Sequence, residues 1–318
     1  MDFDYLIKQN TTDFTKVIHQ KPYRTIDVTR PELSQTGKTV LVTGGATGIG
    51  LSISRKFIEA DVSTVILIGR RQDVLTSGGK ELRSEAENSG KSVTVITEPC
   101  DQADRSAVEA LWNKLEQDGI VVDILILNAA DFTDQKSILD LGAQRVWKSY
   151  EVNVRGPLDL VARFHKQNDK KPRTIVNVST QAINMLYDSQ SFPASLRPAY
   201  GLTKNAGTML LQQIAKDVSA DDLQIINFHP GVIYNDQYPK IGIQKTDLPF
   251  DDVELPGSFA VWATTKEAKF LHGRFVWAAW DIDEYSQGET RKQIEENVDL
   301  LRIGVVGLRA ALKGEGFS

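Results

Sequence analysis

The chain has 318 residues, of which 41% are hydrophobic and 25% are charged, and its formal net charge is −5. This composition is ordinary for a folded protein, and the acidic balance argues against generic binding to nucleic acid or to anionic membranes. The single cysteine, Cys100, excludes an intrachain disulfide and a multi-cysteine metal site. Neither a secretory signal nor an apolar run of about 20 residues stands out, so we expect a cytoplasmic protein that does not span a membrane.

Short β-branched runs alternate with helix-like stretches along most of the chain. The expected strands cover residues 39–43, 64–69, 93–98, 124–129, 174–179, 224–229 and 273–279. The expected helices cover residues 49–60, 72–88, 104–117, 140–168 and 199–219. This alternation predicts right-handed strand–helix–strand crossovers. The predicted fold is therefore a single α/β domain of the Rossmann type at 38–282, a doubly wound parallel sheet of about seven strands with helices on both faces.

Two further segments flank this domain. Residues 1–37 have weak periodicity and are expected to form an irregular arm that lies on the domain. Residues 283–318 are expected to form a C-terminal helical extension, because an apolar stripe recurs at helical spacing. The stripe consists of Ile294, Val298, Leu301, Val305, Leu308 and Leu312. This helix would pack on its own domain or, alternatively, against a partner.

Two long connections interrupt the alternation, at 181–198 and at 231–257. Long loops inside a compact domain often act as lids or binding loops, although simple surface decoration is the alternative. Aromatic residues fall in both connections: Tyr187, Phe192, Tyr234 and Tyr238. If the loops close over a bound cofactor, these residues would form an aromatic wall for a bulky, largely apolar small-molecule substrate.

A glycine-rich turn follows the first expected strand and precedes the first expected helix. Glycine at these positions permits a tight turn and lets the backbone approach a pyrophosphate, while the helix N-terminus offers unpaired N–H groups. The residues predicted to bind the cofactor here are Gly44, Thr47, Gly48, Ile49 and Gly50. A purely structural turn is the alternative.

The second expected strand ends in Gly69-Arg70-Arg71. Enzymes that prefer NAD usually have an acidic residue here, which hydrogen-bonds the ribose hydroxyls. Gly69 offers no carboxylate to repel a 2′-phosphate, and arginine pairs with phosphate through two parallel hydrogen bonds. The sequence therefore predicts NADPH rather than NADH, bound by Arg70 and Arg71. The alternative is two exposed arginines that open a helix.

Tyr200 and Lys204 are four residues apart at the start of an expected helix, which places them on one face. Tyrosine ordinarily titrates near pH ~10, and a neighbouring ammonium lowers its pKa by favouring the phenolate. The pair is thus a candidate acid–base unit.

With these motifs in place, residues 38–282 resemble the short-chain dehydrogenase/reductase family. The markers are Thr43-Gly44-x-x-x-Gly48-x-Gly50, Asp101, Asn128-Ala129, Asn153, Ser179-Thr180, Tyr200-x-x-x-Lys204 and Pro230-Gly231. The amino arm, the Gly69-Arg70 pair and the segment at 270–281 look similar to a fungal branch of the family, whose members often serve secondary metabolism.

The resemblance implies catalytic roles for four residues. Tyr200 would exchange a proton with the substrate oxygen, and Lys204 would hold the nicotinamide ribose and lower the tyrosine pKa. Thr180 stands where the family has a serine that hydrogen-bonds the reacting oxygen, with Ser179 as the fallback. Asn153 would position a water that relays protons from Lys204.

The resemblance also implies further cofactor contacts and an assembly. Asp101 would bind the adenine amino group, and Asn128 would support the fourth strand and the adenosine ribose. The segment Pro230, Gly231, Val232 and Ile233 would face the nicotinamide. Family members commonly form homodimers or homotetramers through two long helices, here near 140–168 and 198–219.

The chain departs from the family pattern at several positions. Leu127 and Ala130 replace the usual asparagine and glycine around Asn128-Ala129, and Asn235 stands where a threonine normally contacts the nicotinamide carboxamide. Thr180 and Tyr200 are also farther apart in sequence than usual. These departures keep two alternatives open: a non-redox isomerase, dehydratase or cyclase on the same scaffold, and a non-catalytic NADPH-binding protein.

No other motif competes with this interpretation. The four histidines are scattered and show no metal-ligand spacing, so no metal is expected. His229 precedes Pro230 at the end of a strand and is expected to be an ordinary core histidine, with a substrate contact as the alternative. No serine lies in a nucleophile elbow, which argues against hydrolysis.

Overall fold

The computed structural model describes residues 14–167, 172–184, 197–236 and 238–305. At its centre lies a parallel sheet of seven strands in the order β3-β2-β1-β4-β5-β6-β7. The strands are β1 (Thr39–Thr43), β2 (Thr64–Gly69), β3 (Thr94–Pro99), β4 (Ile124–Leu127), β5 (Arg173–Val178), β6 (Leu223–His229) and β7 (Phe275–Trp277). The strand order reverses direction at β1 and β4, so their carboxyl ends flank the crevice where such sheets bind ligands.

Helices connect the strands and cover both faces of the sheet. They are α1 (Gly48–Glu59), α2 (Gln72–Asn88), α3 (Arg105–Gln117), α4 (Ile138–Leu141), α5 (Ala143–Tyr150), α6 (Gly156–His165), α7 (Pro198–Asp217), α8 (Glu254–Trp262), α9 (Ile282–Tyr285) and α10 (Gly288–Glu296). Successive residues of β1 pack on opposite faces: Val40 and Val42 join the core under α1, α2 and α8, whereas Leu41 joins the core under α3, α6 and α7.

The predicted fold class is confirmed. Each expected strand is found within two residues of its predicted ends, and so are four of the five expected helices. The continuous apolar runs are strands covered on both faces, as parallel sheets require.

The single long helix predicted at 140–168 was wrong. Gly142 has a φ of 76°, outside the helical range, and it separates α4 from α5. A π-helical turn at Glu151–Arg155 then joins α5 to α6. Pro157 lacks the N–H that an α-helix would direct to the carbonyl of Asn153, which accounts for the wider turn at this point.

The segment 231–257 was also predicted incorrectly at its end, because its last residues belong to α8. Pro256 is tolerated there since the first turn of a helix needs no N–H donor. Gly257 lets α8 approach α1 closely: a Cβ at this position would lie 2.7 Å from Ser52 Oγ. The Gly and Pro that indicated a loop instead permit close helix packing.

The apolar stripe expected from Ile294 onward does not continue as a helix. Ile294 is fully buried in α10, but the helix ends at Glu296, and Val298 and Val305 are exposed. The Asn297 side chain accepts a hydrogen bond from the Asp299 N–H, a local turn that competes with the helix. Two positions of the stripe, Leu308 and Leu312, lie outside the described residues.

The described part of the amino arm lies against the carboxyl end of the domain. Ile18 forms an antiparallel bridge with Trp280, and the His19 N–H donates to the Ala279 carbonyl at 2.7 Å. His19 Nε2 also lies 2.7 Å from Asp281 Oδ2. The arm therefore covers the surface next to β7.

Candidate active site

The glycine-rich turn lies at the carboxyl end of β1, and its backbone is packed too closely for side chains. Gly44 has a φ of 63°, and a Cβ on Gly50 would lie 2.2 Å from the Gly44 carbonyl oxygen. The N-cap residue of α1, Thr47, makes no side-chain cap. The N-terminus of α1 thus keeps its polarity toward the crevice, an arrangement that fits a pyrophosphate.

A cavity of about 300 Å³ opens beside this turn. Its lining includes six of the predicted cofactor-binding residues, namely Gly44, Thr47, Arg70, Arg71, Asp101 and Asn128. The residues come from the ends of four neighbouring strands, which explains why positions far apart in sequence meet here. The cavity and the closely packed glycines fit the adenosine end of a dinucleotide.

Both predicted phosphate-binding arginines are exposed at the rim of the cavity, where α2 begins. Within the described part of the chain, neither the Arg70 nor the Arg71 side chain forms an ion pair or a hydrogen bond, although the charge of Arg70 lowers the pKa of Asp131 through space. A Cβ on Gly69 would make only ordinary contacts at 3.6 Å or more. Two guanidinium groups without a direct hydrogen-bond partner in the described chain therefore lie beside a glycine that carries no charge.

Side-chain amides hold the walls of the cavity together. Asn128 Nδ2 donates to the Thr43 carbonyl at 2.9 Å, and the Thr43 hydroxyl accepts the N–H groups of Asn128 and Ala129. Gln102 Nε2 donates to the carbonyls of Ala129 and Val152. Asn128 thus supports the fourth strand, as the resemblance implied.

The π-helical turn is tied to the wall of the cavity by Asn153 and Asp131. The Asp131 N–H donates to Asn153 Oδ1 at 2.7 Å, and Asn153 Nδ2 donates to the Asp131 carbonyl at 3.0 Å and to Thr203 Oγ1 at 2.9 Å. The Asp131 carboxylate accepts two hydrogen bonds from Arg145 and one from Ser149. Burial raises the pKa of Asp131, but these hydrogen bonds outweigh it and hold the pKa below its usual range.

Thr180 and Tyr200 meet at the end of β5. Their side chains form a hydrogen bond, whereas Ser179 turns away and shares a 2.6 Å hydrogen bond with Thr208. The geometry therefore favours Thr180 over the fallback Ser179 as the residue beside the tyrosine hydroxyl.

Lys204 is buried one helical turn after Tyr200, and its Nζ donates to the Val178 carbonyl at 2.6 Å. Burial lowers the pKa of Lys204 to about 8. The pKa of Tyr200 is raised to about 12, mainly by burial, with the Thr180 hydrogen bond lowering it and Tyr238 raising it. The sequence predicted a lowered pKa for this tyrosine, whereas burial raises it in the structure, and the Lys204 ammonium donates to the Val178 carbonyl.

The segment expected to face the nicotinamide, Pro230–Ile233, follows β6 and rests on Asp251. The Val232 N–H donates to Asp251 Oδ2 at 2.7 Å, and the Asp251 N–H donates back to the Val232 carbonyl at 2.9 Å. Gly231 has a φ of 97°, and a Cβ there would lie 2.5 Å from Asp251 Oδ2. Burial raises the pKa of Asp251 to about 6, against the lowering effect of the Val232 N–H.

The aromatic residues of this connection form one cluster. Tyr234 stacks on Tyr238 with ring centroids 5.9 Å apart, and both make edge contacts with Phe250. Tyr238 raises the pKa of Tyr200 through space, so the cluster lies within electrostatic range of Tyr200. The other two predicted wall residues, Tyr187 and Phe192, lie outside the described residues.

Two remaining candidates have structural partners. His229 is buried, its Nδ1 accepts from the Gln181 N–H at 3.3 Å, and burial lowers its pKa to about 3. It is a neutral core histidine, as expected. Asn235 stands where the family has a threonine that contacts the nicotinamide carboxamide. Here its side chain donates to the Ile233 carbonyl at 3.2 Å and so stabilises its own turn.

Sequence reasoning missed four polar residues of the site: Gln102, Asp131, Arg197 and Asp251. Gln102 and Asp131 directly follow motif residues, and that position was the available signal. Asp251 and Arg197 lie in or beside the long connections, where no periodicity marks them.

The family model for short chain dehydrogenases matches residues 38–244. The short chain dehydrogenase/reductase AacuD of Aspergillus aculeatus is 30% identical over 296 residues, which cover 92% of this chain and 96% of that protein. The chain belongs to the short-chain dehydrogenase/reductase family.

Other relatives support the same family and fold. A short chain dehydrogenase/reductase of Claviceps purpurea is 32% identical over 286 residues, covering 86% of this chain and 91% of that protein. The solved Pseudomonas aeruginosa RhlG/NADP active-site complex shares the fold, with a TM-score of 0.66 at 17% identity over 78% of this chain and 97% of that one. The resemblance inferred from the motifs is confirmed, including its similarity to fungal members.

Family membership makes this short-chain dehydrogenase/reductase an oxidoreductase for CH–OH or C=O groups of small molecules, with a nicotinamide cofactor. Among the described residues, no cluster of side chains could hold a metal ion, and no helix is long and apolar enough to cross a membrane.

Proposed function

We propose that this short-chain dehydrogenase/reductase uses NADPH to interconvert a carbonyl and an alcohol on a bulky aromatic small molecule. The observation that carries the proposal is the hydrogen bond between Thr180 and the half-buried Tyr200, one helical turn from the buried Lys204 and next to the glycine-bounded crevice.

The preference for NADPH rests on the rim of the crevice. Gly69 adds no negative charge, and Arg70 and Arg71 have no ion-pair partner within the described residues. A 2′-phosphate supplies the anionic oxygens that such guanidinium groups bind. The Pseudomonas aeruginosa protein of the same fold was solved with NADP, which is consistent with the proposal.

Tyr200 would hold the substrate oxygen and exchange a proton with it, while Thr180 provides a second hydrogen bond to that oxygen. When bound, NADPH supplies the hydride that, with one proton, converts C=O to CH–OH and leaves NADP⁺. Because burial raises the pKa of Tyr200 to about 12, its hydroxyl is protonated at neutral pH and is suited to donate. Lys204 would gain a second partner in the cofactor ribose.

The proposal on the cofactor is tested by calorimetric titration with NADPH and NADH. We expect NADPH to bind at least about tenfold more tightly, a difference of about 1.4 kcal/mol. Arg70→Ala and Arg71→Ala should reduce this ratio, whereas Lys292→Ala, which removes the same charge from the distant helix α10, should not. Equal affinities for the two cofactors in the wild-type protein would overturn the assignment of the arginines.

The proposal on the reaction is tested by the mass of the product. Reduction adds two hydrogens to the substrate and consumes one NADPH, whereas isomerisation or cyclisation changes neither. A product of unchanged mass formed without NADPH consumption would support the non-redox alternative. Tight NADPH binding without turnover of any carbonyl compound would support the non-catalytic one.

The substrate class follows from the cluster of Tyr234, Tyr238 and Phe250 beside Tyr200. A flat aromatic or polycyclic substrate would contact such a wall over a large area. Since the matched relatives AacuD and the Claviceps purpurea protein are fungal, we include a role in fungal secondary metabolism in the proposal. The cytoplasmic location, the homodimer or homotetramer, and the division into arm, domain and extension stay predictions.

A further inference from the structure

Arg197 lies immediately before α7 and three residues before Tyr200, and it is only 8% exposed. Its Nη1 donates to the Thr133 carbonyl. Its guanidinium carbon lies 4.2 Å from the ring centroid of Phe132. The Phe132 ring in turn meets the Tyr200 ring edge-on at 4.7 Å. One aromatic ring therefore separates a buried cation from the proposed proton donor.

This cation has no anionic partner. Within the described part of the chain, Arg197 forms no ion pair, and the exposed Asp134 acts on it only through space. Burial lowers the pKa of Arg197, because the charged group has lost water without gaining a counter-charge. The Asp131 carboxylate, one residue before Phe132, does not supply this counter-charge, because it already accepts hydrogen bonds from Arg145 and Ser149.

The hydrogen bonds of Arg197 differ from those of the other deeply buried arginines in the described chain. Nη2 of Arg173 donates to the Gln167 carbonyl, and Nη2 of Arg274 donates to the Ile294 carbonyl. All three arginines have an Nε without a partner, but only in Arg197 does Nη2 also make no hydrogen bond to a described residue. Nε of Arg197 is fully enclosed by protein, but its Nη2 is not among the fully buried atoms, so Nη2 is the part of this guanidinium that a ligand can reach.

The Nη2 group has a defined chemistry. It carries two N–H donors and part of the positive charge, and a carboxylate oxygen accepts charge-assisted hydrogen bonds of this kind. Phe132, which supports the guanidinium, is 45% exposed, so an aromatic ring can stack beside it. The opposite side of the site disfavours an anion, because Asp251 already lies there under Gly231 and Val232.

We propose that Arg197 is a substrate-binding residue that holds a carboxylate of an aromatic ketone while the ketone oxygen lies at Tyr200. The substrate is then an aromatic keto acid, or the corresponding hydroxy acid in the reverse direction. This inference rests on the proposed function, and it adds the charge of the substrate and the residue that recognises it.

The probes are 2-benzoylbenzoate and its methyl ester, two diaryl ketones that differ only in the negative charge. Calorimetry on the protein saturated with NADP⁺ measures their binding without turnover. We expect the acid to bind at least about tenfold more tightly than the ester. Arg197→Gln should abolish this ratio, and Arg197→Lys should leave part of it, because lysine keeps the charge but loses the planar guanidinium donors at Nη2.

Arg291→Gln is the matched control, since Arg291 also stacks on a phenylalanine, Phe270, at 3.9 Å but lies on α10 far along the chain. It should keep the ratio of acid to ester. In turnover with NADPH, Arg197→Gln should raise the KM for the acid at least about tenfold more than the KM for the ester, whereas a purely structural role of Arg197 would affect the two substrates alike.

The outcomes separate the two proposals. Failure of NADP⁺ to bind overturns the proposed function. NADP⁺ binding with equal affinity for acid and ester, with no binding of the acid, or with an unchanged ratio in Arg197→Gln overturns the role of Arg197 alone. If Arg197→Gln does not fold, as judged by thermal unfolding, the ratios in the wild-type protein and in Arg197→Lys decide.

Discussion

Different kinds of chemical group line the two halves of the crevice. On the side of β1, β2 and β4, the cavity is bounded by glycine backbone and by amides such as Asn128 and Gln102, whose hydrogen bonds are made. On the side of β5 and β6, buried titratable groups dominate. Their pKa values depart from the ordinary ones: Tyr200 and Asp251 are raised, and Lys204 and His229 are lowered.

This difference corresponds to two tasks. A nucleotide is held by shape and by backbone polarity, which require close approach but no change of charge. Proton transfer requires groups whose protonation is easily shifted, and burial without full compensation achieves this. Substitutions on the first side should therefore act on binding and folding, and substitutions on the second side should act on turnover and on pH dependence.

The largest difference between the effects on turnover and on cofactor binding is expected for Tyr200→Phe. This variant loses only the hydroxyl that forms a hydrogen bond with Thr180. Turnover should fall by about 10²–10⁴-fold, as for loss of a general acid, while NADPH affinity measured by calorimetry stays unchanged. Tyr285→Phe is the control, because the buried Tyr285 hydroxyl has no hydrogen-bond partner. Undiminished turnover in Tyr200→Phe would remove the tyrosine from the mechanism.

Gly50→Ala should show the opposite behaviour. The new Cβ would lie 2.2 Å from the Gly44 carbonyl oxygen and 2.6 Å from Asn128 Nδ2, so the turn must move. We expect a loss of about 2–4 kcal/mol in the free energy of unfolding in urea, together with weaker NADPH binding. Gly304→Ala, where a Cβ meets nothing within 4 Å, is the control. If both alanine variants behave alike, close packing is not what selects glycine at 50.

Asp131 connects the two halves of the crevice. The strength of its ion pair with Arg145 can be measured with a double-variant cycle. Asp131→Asn, Arg145→Gln and the double variant form a cycle measured by urea unfolding. We expect each single change to cost about 1–2 kcal/mol, discounted for partial exposure, and the double change to cost less than both together. Because the pKa of Asp131 is lowered in the folded protein, its contribution is present above the ordinary carboxyl pKa and is lost as the pH falls through the folded value. Strictly additive costs would mean that the pair is not coupled.

The smallest effect is expected at Asp251. Its pKa is raised to about 6 from 3.8, so folding disfavours its ionised form, and this cost grows as the pH rises from about 4 to about 6. Asp251→Asn keeps an acceptor for the Val232 N–H but never ionises. The full shift corresponds to about 2 kcal/mol between pH ~4.5 and pH ~7.5, and we expect the variant to gain about 1 kcal/mol on the wild-type protein after solvent screening of the partly exposed carboxylate is taken into account. Thermal unfolding at both pH values measures this, with the exposed Asp236→Asn as control, and a pH-independent difference would contradict it.

The glycine turn and the two arginines could be predicted as neighbours of one cavity from the sequence, because the determinants are local, whereas Gln102 and Asp131 in the same lining were missed. The strand at 39–43 and the turn after it form one continuous motif, and Arg70 and Arg71 end the next strand. Burial of the core also followed from pattern alone, since continuous apolar runs are typical of strands covered on both faces.

The substrate half could be predicted only in its motif residues. Tyr200 and Lys204 are recognisable by spacing, but the pKa of Tyr200 is raised mainly by burial, and burial depends on the elements that pack around the side chain. Asp251 and Arg197 likewise act through partners far away in the chain, Val232 and Thr133. The helix predicted from the C-terminal apolar stripe was wrong for a related reason: the spacing of the apolar residues does not reveal the local turn at Asn297, where the helix stops.

The arm and the turn after α10 also decide where the sheet ends. β7 is only three residues long, the Phe275 N–H donates to the Leu301 carbonyl at 2.8 Å, and the arm bonds to Ala279 just beyond the strand. A short edge with its main-chain groups already engaged offers an incoming strand little to pair with, which is how natural sheets avoid edge-to-edge aggregation. The amino arm and the turn after α10 thus leave few main-chain groups at this edge with which another strand could pair.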